Sequence, residues 1–171
     1  MTLIEQLLTD AIFSAIAAMG FAVISNPPLR AVAASAILSA VGHSFRYYLL
    51  HIVSLDIATA TFLASLLIGV LSFIFAKLMR CPNEIFTFPS LLPMIPGMYA
   101  YRMFLSLASF IRSEDSMSNI QLINDIFYNG ITAIIVLIAL VVGVSIPVMM
   151  FRSESFKVTR LRPHLSHIRK K

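Results

Sequence analysis

The chain has 171 residues, of which 58% are hydrophobic and 12% are charged, with a mean hydropathy of +0.88. Soluble domains are about half apolar and about a quarter charged, so a chain of this composition has too little charge to cover a surface in water. The net charge of +5 does not indicate nucleic-acid binding, because seven of the 13 Lys and Arg residues follow the last apolar run, where Phe156 is the only aromatic residue.

Five segments are long and apolar enough for a membrane span, which needs about 20 such residues. In chain order they are residues 7–24, 29–50, 57–76, 85–111 and 126–151. The third and fifth contain no charged residue, whereas the first contains Asp10 and the fourth contains three prolines. We therefore predict an all-α integral membrane protein with about five spans, the fourth broken by prolines. Residues 1–152 form a single transmembrane domain, and residues 153–171 form a basic cytoplasmic tail.

The distribution of positive charge sets the predicted orientation. Five spans with a cytoplasmic C-terminus place the N-terminus outside, with ten of the 13 Lys and Arg residues inside, as the positive-inside rule requires. A fourth segment that enters the membrane without crossing would move Arg112 inside and raise the bias further, so the charge count does not decide whether this segment crosses. Residues 1–10 contain no Lys or Arg but contain Glu5 and Asp10, so we expect a retained helix rather than a cleavable signal peptide. The basic tail is expected to contact anionic lipid.

The second span carries a polar stripe at three- and four-residue steps, which puts its members on one helical face: Ser35, Ser39, Gly42, His43 and Arg46. Ionisable groups in hydrocarbon are costly, so the last two should face protein or a water-filled cavity. One interpretation is an anion-binding Arg46 with a titratable neighbour, His43. In the alternative, Arg46 reaches the outer interface beside Tyr47 and Tyr48 while His43 bonds a neighbouring helix.

The fourth segment contains Pro89, Pro93 and Pro96 within eight positions, which cannot support a continuous helix. A new helix starting near Gly97 would aim free N–H groups and a positive dipole end into the membrane. Discontinuous helices of this kind bind carboxylates in secondary transporters, and Arg102 could add charge-assisted hydrogen bonds. The alternative is an ordinary loop with a helix starting at Pro96.

Other polar residues in the spans have two interpretations each. Asn129 is a candidate for a substrate or an interhelical hydrogen bond, and Asp125 for a helix cap or for proton transfer. Asp10 is equally open. The third span has a stripe of small residues that predicts close helix packing: Thr61, Ser65, Gly69 and Ser72.

No enzyme or cofactor is expected. The sequence contains no nucleotide-binding, zinc-protease or serine-hydrolase motif, and its one cysteine, Cys81, cannot build a metal site. Without an ATP-binding motif, transport would have to use a gradient.

The chain resembles the threonine/serine exporter family, specifically its short membrane subunit that matches the C-terminal half of full-length exporters. The resemblance covers nearly the whole chain up to the basic tail. It is carried by Gly20 to Ala22, Asn26, Pro28, Arg30, Gly42, His43, Arg46, Pro93, Pro96, Gly97, Tyr101, Asn129, Ser145, Ile146 and Pro147.

The resemblance implies a gradient-driven exporter of small carboxylates, either hydroxy amino acids or succinate-like dicarboxylates, in a bacterial inner membrane. It also implies a larger membrane subunit as partner, for which a second copy of the chain is an alternative. On the residues above, the predicted substrate-binding set is His43, Arg46, Pro96, Gly97, Arg102 and Asn129. The competing hypothesis is a non-transporting assembly subunit whose polar stripes serve helix packing.

Overall fold

The structure is a computed structural model that describes residues 3–24, 27–112 and 116–159, and all regular secondary structure in these ranges is helical. The elements are α1 (Leu3–Ile24), α2 (Leu29–His51), α3 (Ile57–Met79), α4 (Glu84–Leu91), a 3₁₀ turn (Leu92–Met94), α5 (Gly97–Arg112) and α6 (Ser116–Thr159). The predicted all-α class is confirmed. Asn26 and residues 160–171 of the predicted tail lie outside the described residues.

Among the described residues, three helices are long and apolar enough to cross a membrane: α1, α3 and the part of α6 from Asn119 to Met150. α2 has a similar length, but its polar stripe makes it less apolar. The fourth segment is not a continuous helix, as predicted, because it consists of α4, the 3₁₀ turn and α5. The count of five crossings stays a prediction.

α1 and α2 pack as an antiparallel pair. The Ser39 hydroxyl donates to the Ser14 carbonyl oxygen at 3.1 Å, and the Tyr47 hydroxyl donates to the Gln6 side chain at 2.8 Å. The higher-numbered residue of α2 contacts the lower-numbered residue of α1, so the two helices are antiparallel. The polar stripe on α2 is therefore directed at α1, and α2 also packs against α4.

α3 and α6 pack closely through glycines and run in parallel. A Cβ added at Gly143 would meet Ser65 and its neighbours, and one added at Gly69 would lie 2.9 Å from Cγ of Pro147. Both contacts have the same offset of 78 residues between the two helices, so the first residue of α3 lies beside residue 135. The predicted close packing of the small-residue stripe is confirmed. The first part of α6, from Ser116 to residue 134, extends beyond the start of α3.

α5 packs against this extending part of α6. Met103 of α5 lies against Gly130, where an added Cβ would be 2.9 Å from its sulfur atom. Within the described ranges, α6 is the only helix with which α5 makes extensive contact, and no residue of α5 is fully buried. α4, in contrast, packs against α2, α1 and α3. Between α4 and α5 the chain therefore leaves the group formed by α1 to α4, which we call the main bundle, and continues along α6.

Candidate functional site

α4 continues through Pro89, although proline removes the N–H that would bond the carbonyl oxygen four residues earlier. That oxygen belongs to Ile85, and it lies 3.4 Å from the Ser35 hydroxyl, which shares its one proton between this oxygen and the Ala31 carbonyl oxygen of its own helix at 3.0 Å. The Ser90 hydroxyl is shared in the same way, between the Phe86 carbonyl oxygen at 2.6 Å and the Ser35 carbonyl oxygen at 3.0 Å. Ser35, Ser90 and Ile85 thus join α2 to α4 at the point where Pro89 weakens the helix.

The helix ends at the next two prolines. The Ile95 N–H donates to the carbonyl oxygen of Leu92 at 3.2 Å, and Ile95 itself is extended, with φ −58° and ψ 132°. The Gly97 N–H then donates to the carbonyl oxygen of Ile95 at 2.7 Å, and α5 begins. We call residues 92–96 the break.

The break releases the carbonyl oxygens of Pro93 and Met94, which in a continuous helix would accept from the amides of residues 97 and 98. Side chains of α2 approach both oxygens. Nε2 of His43 lies 3.1 Å from the Pro93 oxygen, and Nη1 of Arg46 donates to the Met94 oxygen at 3.1 Å. A buried carbonyl without a partner costs about 1–3 kcal/mol, so the Arg46 contact stabilises the break, and the His43 contact does so when Nε2 carries a proton. His43 and Arg46 therefore bind the carbonyl side of the break.

Asp10 completes this group from α1. Its Oδ2 lies 2.9 Å from Nδ1 of His43, a residue only 9% exposed, and Nη2 of Arg46 lies 3.3 Å from Nε2 of the same ring. The three side chains link α1, α2 and the break. The sequence alone did not decide whether Asp10 is a structural residue or takes part in proton transfer. The available signal was that ionisable residues within spans pair with one another.

The amide side of the break is open. Pro96 is buried, but Gly97 is exposed, and a Cβ added there would meet nothing within 4 Å. Ala100 donates the first intrahelical bond of α5, to the Pro96 oxygen at 3.2 Å, so the amides of Met98 and Tyr99 precede it. These amides lie at the positive end of the helix dipole.

Arg102 and Asn129 lie elsewhere, in a cleft of about 300 Å³ between α5 and the extending part of α6. Asn129 is 6% exposed, and its side-chain amide donates to the Asp125 carbonyl oxygen at 2.7 Å. Arg102 and Asp125 both belong to the described residues, and no ion pair joins them. The lining residues are Arg102, Leu105, Ser106, Asp125, Tyr128 and Asn129.

The predicted substrate-binding residues thus fall into two groups. His43 and Arg46 contact the break, and Arg102 and Asn129 line the cleft, with Gly97 between the two groups along the chain. Sequence spacing did not separate them, because it does not show that α5 leaves the main bundle. Their role in binding a substrate stays a prediction. In the described ranges no group of three acidic, His or Cys side chains could hold a metal ion.

Both groups lie within the part of the chain that one family model matches. The family model for "Threonine/Serine exporter, ThrE" matches residues 10–150. An uncharacterised protein of Haemophilus influenzae is 35% identical over 146 residues, which make up 85% of this chain and 48% of that protein. The chain therefore spans about half the length of this relative. No solved structure matches the chain. From the family match and this relative together, the chain belongs to the threonine/serine exporter family.

Proposed function

We propose that this protein is the short membrane subunit of a gradient-driven exporter of hydroxy amino acids, and that the cleft between α5 and α6 binds the substrate. Family membership makes the chain a component of an exporter-type membrane transporter. The observation that supports the finer proposal is the pair of opposite charges, Arg102 and Asp125, on the two walls of the cleft.

The charges of the cleft fit a zwitterion. Arg102 can bind a carboxylate through charge-assisted hydrogen bonds, and Asp125 can accept from an ammonium group. Ser106 and Asn129 add polar groups for a side-chain hydroxyl. A dicarboxylate of similar length would bring its second carboxylate to Asp125, where like charges repel. The cleft volume of about 300 Å³ is at the lower end for ligand pockets, which suits a small metabolite.

The choice of substrate determines how export is driven. An interior-negative potential favours the exit of an anion by about 2.3 kcal/mol per charge per 100 mV. A zwitterion has no net charge and gains nothing from this potential. Export of threonine or serine against its concentration gradient therefore requires coupling to another ion, and we propose exchange with a proton.

The cleft also points to a second subunit. Its walls are two helices only, and many carriers use two related bundles around one site. The chain corresponds to about half of its relative from Haemophilus influenzae. We propose that a larger membrane subunit supplies the remaining walls, in a bacterial inner membrane with the N-terminus of this chain outside. A second copy of the chain is the alternative.

Binding to native membranes that contain the chain together with its partner subunit tests the cleft. We expect labelled L-threonine to bind, with excess succinate competing poorly. Arg102→Gln and Asp125→Asn should each weaken binding about 10- to 100-fold, since a charged hydrogen bond contributes about 1.5–3 kcal/mol. The matched control is Arg112→Gln, which removes a positive charge from the same helix outside the cleft. Unchanged binding in both cleft variants, equal competition by succinate or no threonine binding would each contradict the proposal.

A non-transporting assembly subunit is the second candidate. It is favoured by the contacts of His43 and Arg46, whose polar atoms face protein groups rather than an open cavity. In that case Arg102→Gln would change only the amount of protein, and truncation after Arg152 would impair assembly. The binding measurement above separates the two candidates.

A further inference from the structure

One ring nitrogen of His43, Nε2, lies within hydrogen-bond distance of both an acceptor and a donor. Nδ1 lies 2.9 Å from the carboxylate of Asp10, which accepts hydrogen bonds when ionised. Nε2 lies 3.1 Å from the carbonyl oxygen of Pro93, an acceptor, and 3.3 Å from Nη2 of Arg46, a donor. Nε2 cannot serve both partners at once, because it carries either a proton or a lone pair.

Protonation decides which partner Nε2 serves. A neutral imidazole has one N–H, and the carboxylate of Asp10 holds that proton on Nδ1. Nε2 then accepts from Arg46, and its lone pair faces the oxygen of Pro93 unfavourably. With one more proton, Nε2 donates to Pro93 and its N–H faces the Arg46 guanidinium. The same holds if Asp10 takes the proton and gives its hydrogen bond to Nδ1, because the single imidazole proton then lies on Nε2.

We propose that Nε2 of His43 is a proton-binding site that controls how α2 holds the break. The deprotonated state joins His43 to Arg46. The protonated state joins His43 to the Pro93 carbonyl and repels the guanidinium that holds Met94. Proton binding therefore changes the attachment of the residues that lead into α5. This inference does not depend on the substrate cleft or on its ligand.

The ring of His43 has titratable and charged groups of both signs around it. α1 contributes Asp10, α2 contributes Arg46 and His51, and α5 contributes Tyr99 close to Arg46. The 3₁₀ turn contributes the carbonyl oxygens of the break. One anion and one cation lie within hydrogen-bond range of the ring, so neither protonation state leaves it without a charged neighbour.

Nitrogen NMR of His43 tests proton binding directly. The chain has four histidines, and replacing His51, His164 and His167 with Gln leaves His43 as the only one. In nanodiscs containing ¹⁵N-histidine, we expect the Nε2 signal to move from the lone-pair to the protonated position as the pH is lowered through the range in which histidines change charge. A signal that keeps one position over this range would overturn the proposal.

A spin label tests whether the proton reaches the break. Ile95 is 46% exposed, so Ile95→Cys in a Cys81→Ser background accepts a nitroxide beside the break. We expect its mobility to change over the same pH range, to lose this change in His43→Gln and to keep it in His51→Gln. His51 is a matched control because it lies on the same helix, stacked on Tyr47 with ring centroids 3.9 Å apart.

A second variant covers the case in which His43→Gln does not fold. In Asp10→Asn the negative neighbour of the ring is gone, so the change in label mobility should move to lower pH. A pH response that survives His43→Gln, or that Asp10→Asn leaves in place, would overturn the proposal. Because neither measurement uses a substrate, they stand or fall separately from threonine binding.

Discussion

The close packing of α6 against α3 makes Gly143 sensitive to the addition of one methyl group. In Gly143→Ala the new Cβ would lie 2.6 Å from the carbonyl oxygen of Phe62 and 3.3 Å from the amide nitrogen of Leu66, and it would also meet the Ser65 hydroxyl. The hydroxyl can rotate, but the Phe62 oxygen belongs to the backbone of α3. The two helices must therefore separate to accommodate the methyl group.

The size of the effect follows from two opposing contributions. Alanine is about 1 kcal/mol better than glycine inside a helix, whereas overpacking costs about 1–3 kcal/mol. Gly20→Ala in α1 supplies the control, because a Cβ there would meet nothing within 4 Å. It should therefore gain up to about 1 kcal/mol. The difference in the free energy of unfolding between the two variants isolates the overpacking cost, about 1–3 kcal/mol.

Unfolding in mixed micelles, followed by circular dichroism as the fraction of denaturing detergent rises, measures this difference. Adding Ser65→Ala to Gly143→Ala should recover part of the loss only, because the Phe62 oxygen stays in place. If Gly143→Ala and Gly20→Ala change the free energy of unfolding equally, the parallel glycine packing of α3 and α6 is wrong.

Two further predictions concern single hydrogen bonds. Ser35→Ala should cost about 0.5–1.5 kcal/mol in the same assay, and less in a Pro89→Ala background, where the new amide can bond the Ile85 oxygen; equal costs in both backgrounds would contradict this role. Thr59 donates side-chain and backbone hydrogen bonds to Asp56, which lowers the pKa of that carboxyl below its usual 3.8. Its stabilisation of α3 is therefore present above pH 3.8 and is lost as the pH falls through the lowered pKa, so Asp56→Asn should remove this acid dependence of helicity.

The sequence predicted the break but not the way the structure supports it. The spacing of Pro89, Pro93 and Pro96 is a local property, and it correctly excluded one continuous helix. The Ile85 oxygen that Pro89 leaves without an amide lies 3.4 Å from the hydroxyl of Ser35, fifty residues away along the chain. A local pattern does not contain such a contact. The same limit applies to the pairing of Asp10 with His43, which is set by the register of α1 on α2.

The sequence predicted which side chains share a helix face, but it did not predict which helices pack against one another. Helical spacing placed Ser39 and His43 on one face, and both are buried, as expected for a polar stripe directed at protein. Spacing gave no reason to separate Arg102 from His43. The separation arises because α5 packs on α6, at a level fixed by the glycine contacts between α6 and α3.

The break is asymmetric, and this asymmetry determines which kind of ligand it could attract. An interrupted helix leaves carbonyl oxygens without donors on one side and amides without acceptors on the other. Here His43 and Arg46 already serve the carbonyl side, so a cation would have to displace two side chains to bind there. The amide side begins at the exposed Gly97, with the cationic Arg102 about one and a half turns later. An anionic group therefore has the open approach, and its path along α5 leads towards the cleft where Arg102 and Asp125 would separate a carboxylate from an ammonium group.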